Sequence, residues 1–450
     1  MNTDFTYGNV LKQLIFFSGP IILANLLQIS FQFIDSLWVG NLLGAKALGA
    51  TAVSGTVFFT VLSFVLGINN AALTILSQQK GKGDKEGLAS YVNAFIVIMT
   101  VMSLLLGIIG YMFTNPLLSL LQTPDQMMDL ASGYLRIHFI GIIFLFGYNF
   151  ISTILRAVGD SQTPLRFVLT AVMLNLFLDP LFISGFDLGI SGAAYATVLS
   201  QGIAFIYGIV HTVKKGLVPF TLPKLPSLDE TSVILRLGIP AGLQMVVISG
   251  GSMAIMSVVN SFGESVVSGF GAVQRIDSLL ILPAMAIGTA VNSMAGQTIG
   301  GGDMERTEKI ANYGVLYVVM FMLSISTAVF FAGYHAVKLF ISEPEAAGFG
   351  EQYLKTIAFF YPFIGINFVL NGVVRASGAM FQILVLNAVS FWVLRFPFSY
   401  MFSEWTGENG IALGIGTSFM LSSLTAFLYY RYGKWKHLVL FGKEKSTPSS

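Results

Sequence analysis

Asn175-Leu176-Phe177-Leu178-Asp179-Pro180 closes an apolar run that begins near Leu165. Asn175 and Asp179 are four apart, so on a helix they share one face. Pro180 then withdraws a backbone donor and is expected to loosen the end of that helix. A carboxylate in such a run is costly unless it meets a partner or a water-filled cavity. One other run carries a lone acid in the same way, Phe31-Gln32-Phe33-Ile34-Asp35-Ser36. The pattern predicts that Asp35 and Asp179 meet inside a helical bundle and bind a small cation.

Composition says what surrounds that bundle. The 450 residues are 54% hydrophobic and 10% charged, against about 25% charged for a soluble domain. With a mean hydropathy of +0.76, burial alone cannot hide so much apolar surface, and the solvent must be lipid. A net charge of +2 argues against a nucleic-acid partner. There is no cysteine, hence no disulfide framework and no thiolate metal site. The start of the chain lacks the basic stretch and small-residue cleavage site of a signal peptide. Leu11 to Trp38 is too long for a signal core and reads as a first spanning helix.

A span needs about 20 apolar residues. Twelve such runs are predicted, near 11–38, 50–77, 90–113, 131–155, 165–183, 190–212, 232–259, 271–298, 310–333, 353–374, 382–402 and 410–430. With twelve spans, Lys12, Lys80, Lys82, Lys85, Arg156, Arg166, Lys214, Lys215, Lys224, Arg236, Arg306, Lys309, Arg375, Arg431, Lys434, Lys436, Lys443 and Lys445 fall on one side. Only Lys46, Arg136, Lys338 and Lys355 fall on the other, which puts both termini in the cytoplasm.

The chain also repeats itself. Gly81-Lys82-Gly83-Asp84 matches Gly300-Gly301-Gly302-Asp303, and Tyr134-Leu135-Arg136 matches Tyr353-Leu354-Lys355. Arg156-Ala157-Val158-Gly159 matches Arg375-Ala376-Ser377-Gly378, Pro20 matches Pro240, and Thr197 matches Thr417, all near an offset of 220. This predicts an amino-terminal lobe at 1–213, a linker at 214–231, a carboxy-terminal lobe at 232–432 and a tail at 433–450. Parallel repeats in a membrane point to a transporter with alternating access, not an enzyme. Asp35, Asn175, Asp179 and Thr197 fall at one depth. Their hard oxygens suit Na⁺ or a proton rather than a soft metal.

Several of these stretches resemble one family. Pro20 fifteen residues before Asp35, the Leu174 to Pro180 run, Arg156 to Pro164 and the two Gly-x-Gly-Asp loops are similar to the multidrug and toxic compound extrusion (MATE) family. The resemblance covers essentially the whole chain. It implies an all-α integral membrane protein of twelve helices in two pseudo-symmetric six-helix bundles, V-shaped. It implies export of mostly cationic amphipathic compounds against H⁺ or Na⁺, by a monomer in a prokaryotic plasma membrane, with no cofactor beyond the coupling ion. By matching position, Asp35, Asn175, Asp179 and Thr197 would form the cation site, with Tyr134 a weaker member and a possible Na⁺ among them. Pro20 would be where the first helix bends on protonation, as in the family's DinF-like branch. The NorM-like branch has acids in the seventh and tenth helices. Runs 232–259 and 353–374 hold none, which fits the DinF-like branch.

The remaining charges read as structural. Arg275 and Asp277 begin the eighth run at its outer end and are expected to pair. Arg395 lies mid-run and needs a partner; His138 is expected to be a packed residue. The Gly-x-Gly-Asp loops lack the Gly-Lys-Ser/Thr of a phosphate cradle and read as tight turns at helix ends. Two other functions are weighed. A flippase for lipid-linked glycans would want several cations in the cavity, where Arg275 and Arg395 are the only candidates. An intramembrane aspartyl enzyme would need its Gly-x-Gly-Asp inside a span, not in a basic loop.

Overall fold

A computed structural model of the chain describes residues 3–220, 223–341, 343–438 and 440–441. Lys443 and Lys445 of the expected tail lie outside the described residues. Among the described residues ten helices are long and apolar enough to cross a membrane, and two bent pairs bring the spans to twelve. In chain order these are α1 Val10–Leu43, α2 Ala45–Lys82, α3 Lys85–Met112, α4 Asp125–Ile140 with Ile142–Ala157, α5 Gln162–Gly185 and α6 Gly189–Lys214. The second set is α7 Leu228–Asn260, α8 Glu264–Gly300, α9 Met304–Lys338, α10 Pro344–Ala358 with Tyr361–Ala376, α11 Met380–Thr406 and α12 Asn409–Tyr432.

The chain divides into two compact units, Met1–Leu76 with Asp84–Thr231, and Ser77–Gly83 with Ser232–Ser450. The described residues of the 214–231 segment belong to the first unit. Asn93 of α3 holds them, accepting from the Lys224 amide at 3.0 Å and donating to its carbonyl at 2.8 Å. The last turn of α2 belongs to the second unit. There Gln78 Nε2 donates to the Ala376 carbonyl at 2.6 Å.

Local chemistry explains the boundaries. Gly83 and Gly302 take left-handed φ values of 75° and 79°, where a side chain would be strained. The next residues, Asp84 and Asp303, each accept from a backbone amide three residues on, Gly87 and Arg306, both at 2.8 Å. Each Gly-x-Gly-Asp loop is thus a chain reversal followed by an N-cap. α4 and α10 start earlier than hydropathy indicates, because their opening stretches carry Asp125 and Asp129, and Glu345 and Glu351. Both bend near mid-span, by 51° and 53°.

Pro180 changes the helix without ending the span. The regular α-helix does end at Pro180, but the span does not stop there: it runs on through a π-turn, Leu181–Gly185, closed by Phe186 N donating to Leu181 O at 2.8 Å. α11 carries a π-segment of its own, Val389–Arg395. Pro20 lies inside an unbroken α1 and leaves the Phe16 carbonyl without its helical donor.

In the first unit, Ala24, Tyr148, Ile151, Leu155, Phe167 and Val172 form one buried cluster that joins α1, α4 and α5, and Ala204 adds α6. Leu104, Leu105, Ile108 and Ile109 of α3 are each more than half exposed. In hydrocarbon such residues gain nothing from burial, so close packing and polar contacts hold the helices together.

Candidate cation site

Four helix ends set the depth of the site. Asp35 lies eight residues before the end of α1 and Thr197 eight after the start of α6, about 12 Å along each axis. Asp179 is about 9 Å from the end of α5, and Tyr134 about 14 Å from the start of α4. α1 and α5 end on the face where α4 and α6 begin, so the four positions share a layer.

The side chains meet in that layer. Tyr134 Oη donates to Asp35 Oδ2 at 3.2 Å. Asn175 Nδ2 donates to Asp179 Oδ1 at 2.8 Å and to Thr197 Oγ1 at 3.4 Å. Asn175 and Asp179 are fully buried, and Thr197 and Tyr134 nearly so. Asp35 and Asp179 lie within electrostatic reach of each other, and Tyr134 of both. The structure thus brings together all five residues singled out in the sequence.

What is left over defines the chemistry. Asp35 Oδ1, Asn175 Oδ1 and Asp179 Oδ2 are buried and have no hydrogen-bond partner among the described residues. An amide oxygen and an ionised carboxylate oxygen can only accept. Buried acceptors without partners are costly, so this layer favours a proton or a small hard cation. Among the described residues no three His, Asp or Glu gather as a metal cluster. Two carboxylates with an amide and a hydroxyl are instead a donor set suited to a monovalent ion.

His138, one turn beyond Tyr134, is buried. Its Nδ1 lies 3.0 Å from the Tyr134 carbonyl, and its ring centroid is 4.9 Å from that of Phe58 and 4.4 Å from that of Tyr134. It packs beneath the tyrosine.

The second unit corrects one expectation. Arg275 and Asp277 do not pair among the described residues. They are two apart on a continuous helix, so they point to different faces, and Arg275 is exposed. Nor does Asp277 begin its helix: α8 starts at Glu264, which places Asp277 about 20 Å along it. Its Oδ1 instead accepts from the Tyr361 hydroxyl, with Tyr353 beside it and Arg395 within electrostatic reach. Arg395 therefore has its partners. Its guanidinium carbon sits 3.8 Å from the Phe391 ring centroid and 4.9 Å from that of Phe419, and Nε donates to Ser418 Oγ at 3.3 Å. Sequence reading missed Tyr361. The available signal was the repeat, which pairs Tyr353 with Tyr134 and so marks the equivalent layer of the second unit.

A helical membrane protein of two repeated six-span units, with a buried acceptor layer in one of them, is a transporter rather than an enzyme. The MatE family profile matches residues 20–181 and again 240–401, two copies in register with the repeat. A probable multidrug resistance protein of Bacillus subtilis, YpnP, is 65% identical over 97% of this chain and 98% of its own. The chain belongs to the MatE family. A MOP superfamily transporter from Pyrococcus furiosus shares the fold at a TM-score of 0.89, with 24% identity over 96% of this chain and 97% of that one. The Vibrio cholerae MATE transporter VcmN does so at 0.89 and 22%, over 94% and 96%. At these identities the solved structures speak for the fold alone.

Proposed function

We propose that this protein is a monomeric antiporter that exports mostly cationic amphipathic compounds in exchange for H⁺ or Na⁺. It would sit in a prokaryotic plasma membrane with both termini in the cytoplasm and would need no cofactor beyond the coupling ion. The observation that carries this reading is the set of three buried, unpartnered acceptor oxygens on Asp35, Asn175 and Asp179. Occupying them with a cation from outside lowers the free energy of whichever conformer holds the ion better, and the equilibrium shifts by that difference in affinity. Access then alternates as the ion and the exported compound bias the same equilibrium in opposite directions. The name of the Bacillus subtilis relative, a probable multidrug resistance protein, supports this cargo class. A glycan flippase would need buried cations free for an anionic headgroup, whereas Arg395 packs against two phenyl rings within electrostatic reach of Asp277.

The test is transport in proteoliposomes with ethidium as the probe. A pH gradient alone or a sodium gradient alone is expected to drive ethidium against its own gradient. If neither drives it, cation coupling is wrong. Topology is tested separately with single cysteines at Lys82 and Glu404. A membrane-impermeant maleimide applied to whole cells is expected to label the Glu404 position only. Labelling of both positions from one face would overturn the orientation.

A further inference from the structure

The repeat allows the two layers to be compared position by position. The offset of 220 that relates the two family matches sets Ile255 against Asp35, Arg395 against Asn175, Ser399 against Asp179 and Thr417 against Thr197. Tyr353 stands against Tyr134 at an offset of 219. Both acids of the first layer are thus replaced by neutral residues. One acid enters from elsewhere, Asp277 on α8, and one fixed cation is gained, Arg395.

The satisfaction of the two layers differs accordingly. The first leaves three acceptor oxygens buried and unpartnered, two of them on carboxylates; in the second no buried oxygen of Asp277 is left without a partner among the described residues, and the unpartnered oxygen is the neutral hydroxyl of Ser399. Tyr361 and Tyr353 of α10 hold the Asp277 carboxylate, and Arg395 of α11 lies within electrostatic reach of it without a direct ion pair among the described residues. Arg395 is itself held in place, between Phe391 and Phe419 and bonded to Ser418 of α12. It is the last residue of the π-segment Val389–Arg395.

We propose that Arg395 is a tethered cation: its guanidinium permanently fills in the second unit the role that an exchangeable cation fills in the first. Asp277 is then a compensated acid rather than a coupling site, and each cycle moves cations only through the Asp35 layer. The inference rests on the coupling role proposed above for that layer. It adds that a second exchangeable site is latent at Asp277 and is kept shut by one side chain.

The experiment counts cations per ethidium. In proteoliposomes a fixed ethidium gradient is set against a graded pH or sodium gradient, and the balance point at which net flux vanishes is read. Wild type and Arg395→Lys are expected to balance at the same gradient. Arg395→Gln uncovers Asp277, so one more cation moves per ethidium and balance comes at a smaller gradient. Arg395→Gln with Asp277→Asn removes both charges and returns the balance to the wild-type point. The thermal midpoint is expected to fall in Arg395→Gln and recover in the double variant, since an unpaired buried charge is worse than none.

An unchanged balance point in folded Arg395→Gln overturns the proposal. Should that variant not fold, Asp277→Asn alone decides, because it is expected to leave the cation count unchanged and a reduced count overturns the inference. Asp35→Asn in the same assay separates the two readings. Residual cation-driven exchange that Asp277→Asn abolishes refutes the tethered cation. Residual exchange indifferent to Asp277 refutes the assignment of the first layer.

Discussion

Asp35→Asn is expected to reduce cation-driven ethidium export by about 100-fold, the upper end of the coupling measured between linked sites. Asparagine keeps the shape of aspartate and an oxygen that can accept from the Tyr134 hydroxyl, now 3.2 Å from Asp35 Oδ2. Local packing therefore survives. What is lost is the charge that makes ion uptake favourable, and with it the difference in ion affinity between conformers. A site that no longer distinguishes occupied from empty shifts no equilibrium, however well the cargo binds. The purified variant is expected to keep its elution volume and to unfold within a few degrees of wild type. Asp35→Ala is the contrasting case. It strands the Tyr134 hydroxyl in a buried site, which costs about 1–3 kcal/mol and lowers the thermal midpoint as well. Full resistance to ethidium in cells expressing Asp35→Asn, with undiminished discharge of the cation gradient, would remove Asp35 from the mechanism.

The first layer was legible because its residues break the rule of their surroundings. Asp35 and Asp179 are acids in apolar runs, and the spacing of Asn175 and Asp179 gave their common face. The span count was legible for the same reason, since hydropathy reports on lipid directly. The second unit was harder to read. Arg275 and Asp277 look like a pair in one dimension, but a helix turns residues two apart to different faces. The partner of Asp277 came from α10, 84 residues away, as Tyr361, an aromatic that composition cannot distinguish from a lipid-facing one. The π-turns of α5 and α11 left no sequence signal either: Pro180 reads as a weakened helix end, yet α5 continues past it. The early starts of α4 and α10 escaped because polar first turns look like loop. Tertiary pairing and backbone register were hidden, whereas energetic anomalies were visible.

The other large effect lies where the last turns of α2 and α8 cross. A Cβ built on Gly81 would stand 1.8 Å from the Gln297 carbonyl oxygen, and one on Gly300 would stand 2.1 Å from that of Gln78. Gly296 repeats the pattern, 2.7 Å from the Ser77 Cβ. The two glycines are equivalent in the repeat, and each rests on the glutamine backbone three residues before its partner, so the crossing is symmetric. Because the obstructing atoms are backbone, no rotamer change relieves the clash, and the helices must separate. Gly81→Ala and Gly300→Ala are each expected to lower stability by about 3 kcal/mol, the upper end of overpacking costs. Thermal unfolding in detergent, followed by size-exclusion fluorescence, measures this. Gly271→Ala on the same helix α8 is the control. Nothing lies within 4 Å of its new Cβ, so the helical gain over glycine of about 0.5–1 kcal/mol should raise the midpoint. The double variant is the sharper test. One rigid separation of the two helices relieves both clashes, so Gly81→Ala with Gly300→Ala should cost less than the sum of the single variants. Strict additivity would mean that each glycine is accommodated by its own local distortion, and that the crossing is not a rigid two-helix contact.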